Sequence, residues 1–394
     1  MIASPVYLDN NATTQADARV VESMLPFFTK YFGNPASRHH VFGWEAAEVV
    51  DYAREQIAHC IGAEQKEIIF TSGATESNNL AIKGIFEMYA GKGNHIITCT
   101  AEHKSVLDAC KNLERKDAAI TYLPVNEEGL IDVNDLESAI LPETILIAVM
   151  YANNETGVIQ PVAEIGTIAK KHGVPFFCDG AQAVGKIPVH VLNDNIDLLS
   201  FTAHKVYGPK GVGALYIRRK NPRIKLSEQL NGGGHERGMR SGTLNVPGIV
   251  GFEKALELCR LEINEDSGRI LNLRNKLENG LLKIQGTKVN GHLFQRLPNT
   301  TNIYFDGVRG GNLMSALVQD MAVSAGSACT SASPEPSHVL KAMGLSDDAV
   351  HSSLRFSLGR FTTGDEIDFV LEKISQYVEN LKIVQEKNVA GIQI

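Results

Sequence analysis

The stretch Ser200-Phe201-Thr202-Ala203-His204-Lys205-Val206-Tyr207-Gly208-Pro209-Lys210-Gly211 follows a largely apolar run beginning at Ile196 and ends in glycine and proline. That order predicts a buried strand delivering Lys205 into a cleft. Desolvation and a neighbouring cation would lower the amine's pKa, making it a nucleophile and base able to form a Schiff base with a carbonyl compound. A loop lysine in solvent is the reading that the stretch alone leaves open. A second reactive group is Cys329. It sits in Ser324-Ala325-Gly326-Ser327-Ala328-Cys329-Thr330-Ser331-Ala332-Ser333-Pro334-Glu335-Pro336-Ser337, which has too little apolar surface to order itself, so an exposed, mobile loop is expected. Cys60, Cys99, Cys110, Cys178, Cys259 and Cys329 are dispersed with no Cys-x-x-Cys, which indicates neither a disulfide framework nor a zinc knuckle. An exposed thiol with no disulfide partner is expected to be used for its reactivity. The other five cysteines fall in or beside strand and helix patterns, as small buried hydrophobes do.

The elements that must position these groups alternate from Glu67 onwards. The pattern predicts strands at Glu67–Phe70, Asn94–Thr100, Ala119–Leu123, Ile145–Tyr151 and Pro175–Asp179, separated by helices at Ser77–Tyr89, Lys104–Leu113, Val133–Ile140 and Val162–His172. Mostly apolar strands alternating with helices imply βαβ units and a largely parallel sheet covered on both faces. Ligands of such a sheet bind beyond the carboxyl ends of its strands, and polar residues fall at that edge here. Thr71-Ser72-Gly73-Ala74-Thr75-Glu76-Ser77 is either a capped helix start or a phosphate cradle. Ala101-Glu102-His103 follows the next strand, Asn153-Asn154-Glu155-Thr156-Gly157 follows Ile145–Tyr151, and Asp179-Gly180-Ala181-Gln182 closes Pro175–Asp179. A carboxylate closing a buried strand is costly unless paired, so Asp179 is expected to face a cation.

Further on, Gly232-Gly233-Gly234-His235-Glu236-Arg237-Gly238-Met239-Arg240-Ser241-Gly242-Thr243 reads as a loop approaching an anion, across a subunit boundary or within the chain, or else as a flexible connector. An amphipathic helix from Gly248 towards Leu261 and, after Asp266, another from Ile270 to Ile284 lead into a second unit of α+β character. Its strands are expected near Thr301–Phe305 and Ser353–Leu358, with helices near Asn312–Gln319 and Asp365–Val384. Arg355, in the first half of that last strand, has the donor fork that suits a substrate carboxylate or a structural ion pair. With 394 residues, 43% hydrophobic and 21% charged, the chain is long enough for about two globular domains. A net charge of −7 without a basic block argues against a nucleic-acid surface. No long apolar run and no signal-like N-terminal pattern occur, so the expected location is the cytoplasm, with no membrane partner.

Leu8-Asp9-Asn10-Asn11-Ala12-Thr13-Thr14, Gly73-Ala74-Thr75-Glu76-Ser77-Asn78-Asn79, Ala101-Glu102-His103, Asn153-Asn154-Glu155-Thr156-Gly157, Asp179-Gly180-Ala181-Gln182, Ala203-His204-Lys205, Arg240-Ser241-Gly242-Thr243 and Ser327-Ala328-Cys329-Thr330 occur in that order. Together they resemble the NifS/IscS-type cysteine desulfurases, pyridoxal phosphate (PLP) enzymes with the aminotransferase-like fold, over essentially the whole length. The resemblance implies an α/β, fold-type I large domain over 15–259 with a mostly parallel sheet. A smaller α+β domain would comprise 1–14 and 260–394 and carry the catalytic-cysteine loop. It implies a homodimer converting L-cysteine to L-alanine and a persulfide on Cys329, supplying sulfur to an iron–sulfur scaffold or another acceptor protein. A selenocysteine lyase or another PLP-dependent aminotransferase-like enzyme is the alternative. Lys205 would carry the cofactor as a Schiff base, His103 stack on its ring and act in catalysis, Asp179 pair with the ring nitrogen, and Gln182 bond the ring hydroxyl oxygen. Ala74, Thr75, Thr202 and His204 would surround the phosphate, with Thr243 reaching it from the other subunit; Asn154 and Arg355 would hold the substrate carboxylate. No metal site is implied beyond an iron–sulfur cluster contact through Cys329.

Overall fold

The computed structural model describes residues 5–325 and 336–389; Cys329 lies outside the described residues. Strand β1 (Val6–Tyr7) comes first. The large sheet is then built from β2 (Ile68–Thr71), β3 (His95–Cys99), β4 (Ala119–Leu123), β5 (Thr144–Ala148), β6 (Phe176–Asp179), β7 (Leu198–Thr202) and β8 (Gly213–Ile217). The order across it is β2-β8-β7-β6-β5-β3-β4. β8 runs antiparallel to both neighbours and every other pairing is parallel, so six of the seven strands point one way. The mostly parallel α/β sheet expected from the sequence is therefore present.

Alternation along these strands divides the core. Phe176 and Cys178 pack on one face with Ile97, Leu199 and Phe201, whereas Phe177 packs on the other with Ile96, Leu146 and Leu198. Every residue of β3, β5, β6 and β7 is buried. That explains the near-continuous apolar runs in the sequence, because helices cover both faces. Where each run stops, the chain leaves the core and a polar side chain becomes affordable.

The remaining strands are β9 (Thr287–Val289), β10 (Thr300–Phe305), β11 (Met321–Ala322) and β12 (Ser353–Ser357). β12-β10-β9 form a small antiparallel sheet, and β1 pairs in parallel with β11. Their apolar residues join Val6, Leu8, Ile270, Leu277, Ile367 and Ile374 in a third core cluster. The helix leading into this unit differs from expectation: Val246–Leu281 is one helix of 36 residues, with no break after Asp266. Gly268 costs only about 1 kcal/mol in a helix interior. The turn around it is tied down by the Arg360 Nε–Asp266 pair at 2.8 Å and by the Ser267 hydroxyl, which donates to the Lys186 carbonyl at 3.2 Å.

Candidate active site

Five strand ends, those of β2, β3, β5, β6 and β7, surround one cavity of about 460 Å³. β2 turns at Ser72-Gly73 into the helix Ala74–Met88, which no side chain caps. The N–H groups of its first turn, those of Ala74 and Thr75 included, have no intrahelical acceptor and lie at the cavity wall. With the helix dipole they form a setting suited to an anion. The sequence pattern placed this helix start at Ser77, three residues late, because Ala, Thr and Glu carry no apolar periodicity. β3 is followed by His103, which N-caps the helix Lys104–Glu114 by accepting the Ser105 N–H on Nδ1 at 3.2 Å.

β6 ends on Asp179, which is 7% exposed. Its Oδ2 accepts from the Asn78 amide at 2.7 Å and its Oδ1 from the Ala181 N–H at 2.9 Å. Both donors are neutral; among the described residues no cation pairs with it. The adjacent strand β7 ends on Thr202, whose hydroxyl donates to the Val212 carbonyl at 3.1 Å, and the tight turn Ala203–Lys205 follows. Because β6 and β7 are neighbours in register, Asp179 opposite Ser200, the carboxylate and the lysine reach the cavity from adjacent strands. Burial and the nearby Lys205, Lys210 and Lys186 bring the His204 pKa down to about 4. The imidazole is therefore neutral near pH 7.

Lys205 Nζ donates to the backbone carbonyls of Asn11 and, at 2.7 Å, Ala12. Asn11 proves to be a hub. Its carbonyl also accepts from Gln182 Nε2 at 3.0 Å, its Oδ1 accepts from Lys186 Nζ at 3.0 Å and Asn299 Nδ2 at 3.1 Å, and its Nδ2 donates to Thr300 Oγ1 at 2.9 Å and the Asn154 carbonyl at 3.2 Å. In the sequence this stretch counts only as one of the motifs carrying the resemblance, with no role for Asn11 itself. Neither Asn11 nor Lys186 was singled out, because the contact between them spans 175 residues and no local pattern announces either. Arg355, at the middle of the β10–β12 ladder opposite Asn302, is 1% exposed. It pairs with Asp9 at 2.6 Å and donates to the Asn154 carbonyl at 2.9 Å, while its Nε has no hydrogen-bond partner.

Ala74, Thr75, His103, Asn154, Asp179, Gln182, Thr202, His204, Lys205 and Arg355 thus all border one cavity. Thr243 is exposed and lies away from the cavity of its own chain. The glycine-rich segment around it is anchored by Glu236, which pairs with Arg54 at 2.7 Å, and by Arg240, which pairs with the cavity-lining Glu76 at 2.8 Å.

Residues 6–370 match the model of the aminotransferase class-V family. A cysteine desulfurase IscS of Anaeromyxobacter sp. (strain Fw109-5) is 54% identical over 379 residues, 96% of this chain and 93% of the relative. Among solved structures, a NifS-like protein superposes with a TM-score of 0.89 at 39% identity, covering 95% of this chain and all of the other. A NifS-like protein from Rickettsia africae ESF-5 gives a TM-score of 0.85 at 32% identity, covering 95% and 99%. With the match extending across nearly the whole length of sequence and fold alike, this chain belongs to the class-V aminotransferases, among the IscS- and NifS-like proteins.

Proposed function

We propose that the protein is a cysteine desulfurase that converts L-cysteine to L-alanine and passes the sulfur to Cys329 as a persulfide, for iron–sulfur cluster assembly. The observation that carries this reading is the meeting of the Lys205 amine, the Asp179 carboxylate and the uncapped helix start Ala74-Thr75 around one cavity. The names of the relatives, cysteine desulfurase IscS and NifS-like protein, support it.

Pyridoxal phosphate fits the groups present. A buried carboxylate whose partners are all neutral donors is matched by a ring N–H⁺, and unpaired backbone N–H groups beside a neutral His204 and the Thr202 hydroxyl are matched by a phosphate. Ala74, Thr75, Thr202 and His204 would hold the phosphate, Asp179 the ring nitrogen, Gln182 the ring oxygen and His103 a ring face. When bound, the cofactor supplies an electron sink that weakens the substrate's Cα–H and Cβ–S bonds. Lys205 Nζ removes the Cα proton and later returns it, a role suited to an amine crowded by other cations. Asn154 and Arg355 orient the substrate carboxylate. The Cys329 thiolate attacks the substrate sulfur: an S–S bond forms, the Cβ–S bond breaks, and its electron pair stays with Cβ, which is protonated to the methyl of alanine. No outside oxidant enters. His103 is suited to taking the thiol proton of Cys329.

The proposal includes a homodimer, with Thr243 reaching the phosphate from a second copy. Exposed aromatic side chains support it: Phe28, Phe32, Phe42 and Trp44 are each more than half exposed, with the Phe32 and Phe42 rings 5.5 Å apart. The partition into 15–259 and 1–14 with 260–394 is supported by the separate third core, although the helix Val246–Leu281 runs through the boundary. Sulfur acceptors, an iron–sulfur scaffold or another protein, and a cytoplasmic setting belong to the same reading. Among the described residues no helix is long and apolar enough to cross a membrane.

The test is formation of L-alanine and sulfide from L-cysteine with PLP and dithiothreitol. Equal amounts of both are expected from the wild type and none above background from Lys205→Ala or Cys329→Ala, with the yellow colour lost only in Lys205→Ala. Full activity in Cys329→Ala would overturn the persulfide route.

A further inference from the structure

Gln182 and Lys186 are four residues apart in a turn-rich segment, and Gly185 decides how that segment lies. Its φ is +80°, and a Cβ there would stand 2.6 Å from Cγ1 of Val206, the residue after Lys205. Only glycine allows this approach, which sets Lys186 behind the lysine of the cavity. Lys186 Nζ then donates to Gln182 Oε1 at 2.6 Å and Asn11 Oδ1 at 3.0 Å. The two amide orientations are unambiguous. Gln182 Nε2 faces the backbone carbonyl of Asn11 and Asn11 Nδ2 faces that of Asn154, and a carbonyl can only accept.

We propose that Lys186 is a positioning residue: it tethers the Gln182 amide by its oxygen, so that Nε2 is presented at the carbonyl shared with Lys205 Nζ, beside the reacting amine. The inference rests on the reading of the cavity as a PLP site in which Gln182 donates to the ring oxygen. Burial, with Lys205 and Arg355 nearby, pushes the Lys186 pKa well below the ordinary lysine value. The tether survives either protonation state, because a neutral amine still has two N–H donors. Without it, Oε1 loses its donor and the amide is held only through Nε2 at the Asn11 carbonyl, so it is aimed less tightly at an anionic ring oxygen.

The test is a double-mutant cycle read by PLP binding to the cofactor-free protein, with Lys186→Met and Gln182→Met singly and together. Lys186→Met is expected to weaken PLP binding roughly tenfold, about one hydrogen bond. It should also shift absorbance from the Lys205-dependent visible band to the near ultraviolet. In the Gln182→Met background the same substitution should cost less than twofold. Should Lys186→Met not fold, judged by far-ultraviolet circular dichroism, the cycle is run with Lys186→Gln, which keeps N–H donors on a shorter side chain and predicts a smaller loss, about threefold, that again vanishes without Gln182. Unchanged binding and spectrum in the lysine variants, or an equal loss with and without Gln182, would overturn the proposal. Absence of any Lys205-dependent visible band in the wild type would instead overturn the cofactor reading beneath it.

Discussion

The surroundings of Arg54 and Arg355 show two ways of burying a guanidinium. Arg54 meets Glu236 through two bonds, at 2.7 and 2.8 Å, and donates to the Ile68 carbonyl at 3.0 Å; Glu236 in turn accepts the Phe70 N–H at 2.7 Å. Arg296 and Glu278 repeat the arrangement, with Thr301 donating to the same carboxylate at 2.6 Å. Arg355 is buried as deeply, yet it makes a single contact to Asp9 and leaves Nε without a partner. Buried charge is tolerable when saturated with partners. In Arg54 and Arg296 saturation goes with holding the fold, whereas the unspent capacity of Arg355 lies at the wall of the cavity; Arg274, whose Nε is also without a partner, is buried away from it.

The strongest way to break that comparison is at Glu236, whose backbone also sits at φ +48°. Glu236→Gln is expected to cost about 3–5 kcal/mol in denaturant unfolding, because Arg54 is left buried without a counter-charge; a loss under about 1 kcal/mol would show that saturation is not what stabilises this region. Next comes acid. From pH 6.5 down to about 4 the unfolded chain takes up a proton on His204 that the folded chain resists. Stability therefore falls as pH drops through that window, by up to about 3 kcal/mol. His204→Asn should flatten this part of the pH–stability curve, and an unchanged slope would remove His204 from its cause. Arg355→Lys sharpens the contrast most directly. A loss of about 1–2 kcal/mol is expected, with the KM for cysteine rising about tenfold through loss of the planar fork. If stability instead drops as far as in Glu236→Gln and KM stays put, Arg355 is a structural ion pair like the others. Smallest is Thr301→Val, at about 1 kcal/mol with turnover unaltered; a change in turnover would tie the Arg296–Glu278 pair to the site.

Much of this was legible in the sequence because the chemistry follows apolar runs. A parallel sheet buried on both faces forces its polar residues to the strand ends, so the stretches around Ala74, His103, Asn154, Asp179 and Lys205 could be assigned to one edge before any coordinates. The far wall was legible only at Arg355, whose donor fork stood out; its partner Asp9 and the Asn11–Lys186 contacts did not. Asn11, Lys186 and the Asp9–Arg355 pair are brought together by contacts spanning 175 to 346 residues, which leave no periodic trace. The uninterrupted helix Val246–Leu281 was illegible for a related reason: Asp266, Ser267 and Gly268 look like a break until Arg360 is seen bound to Asp266.

The hub at Asn11 also sets a clock. Its backbone N–H donates to the Ser357 hydroxyl, 346 residues later, at 2.9 Å. At ribosomal rates of about 5–20 residues per second, roughly 20–70 s separate the synthesis of the two. The large sheet can be complete long before then, but the floor under Lys205 closes only when nearly the whole chain has been made, so a growing chain carries its reactive amine before the strand that fixes Asn11 and Ala12 beneath it.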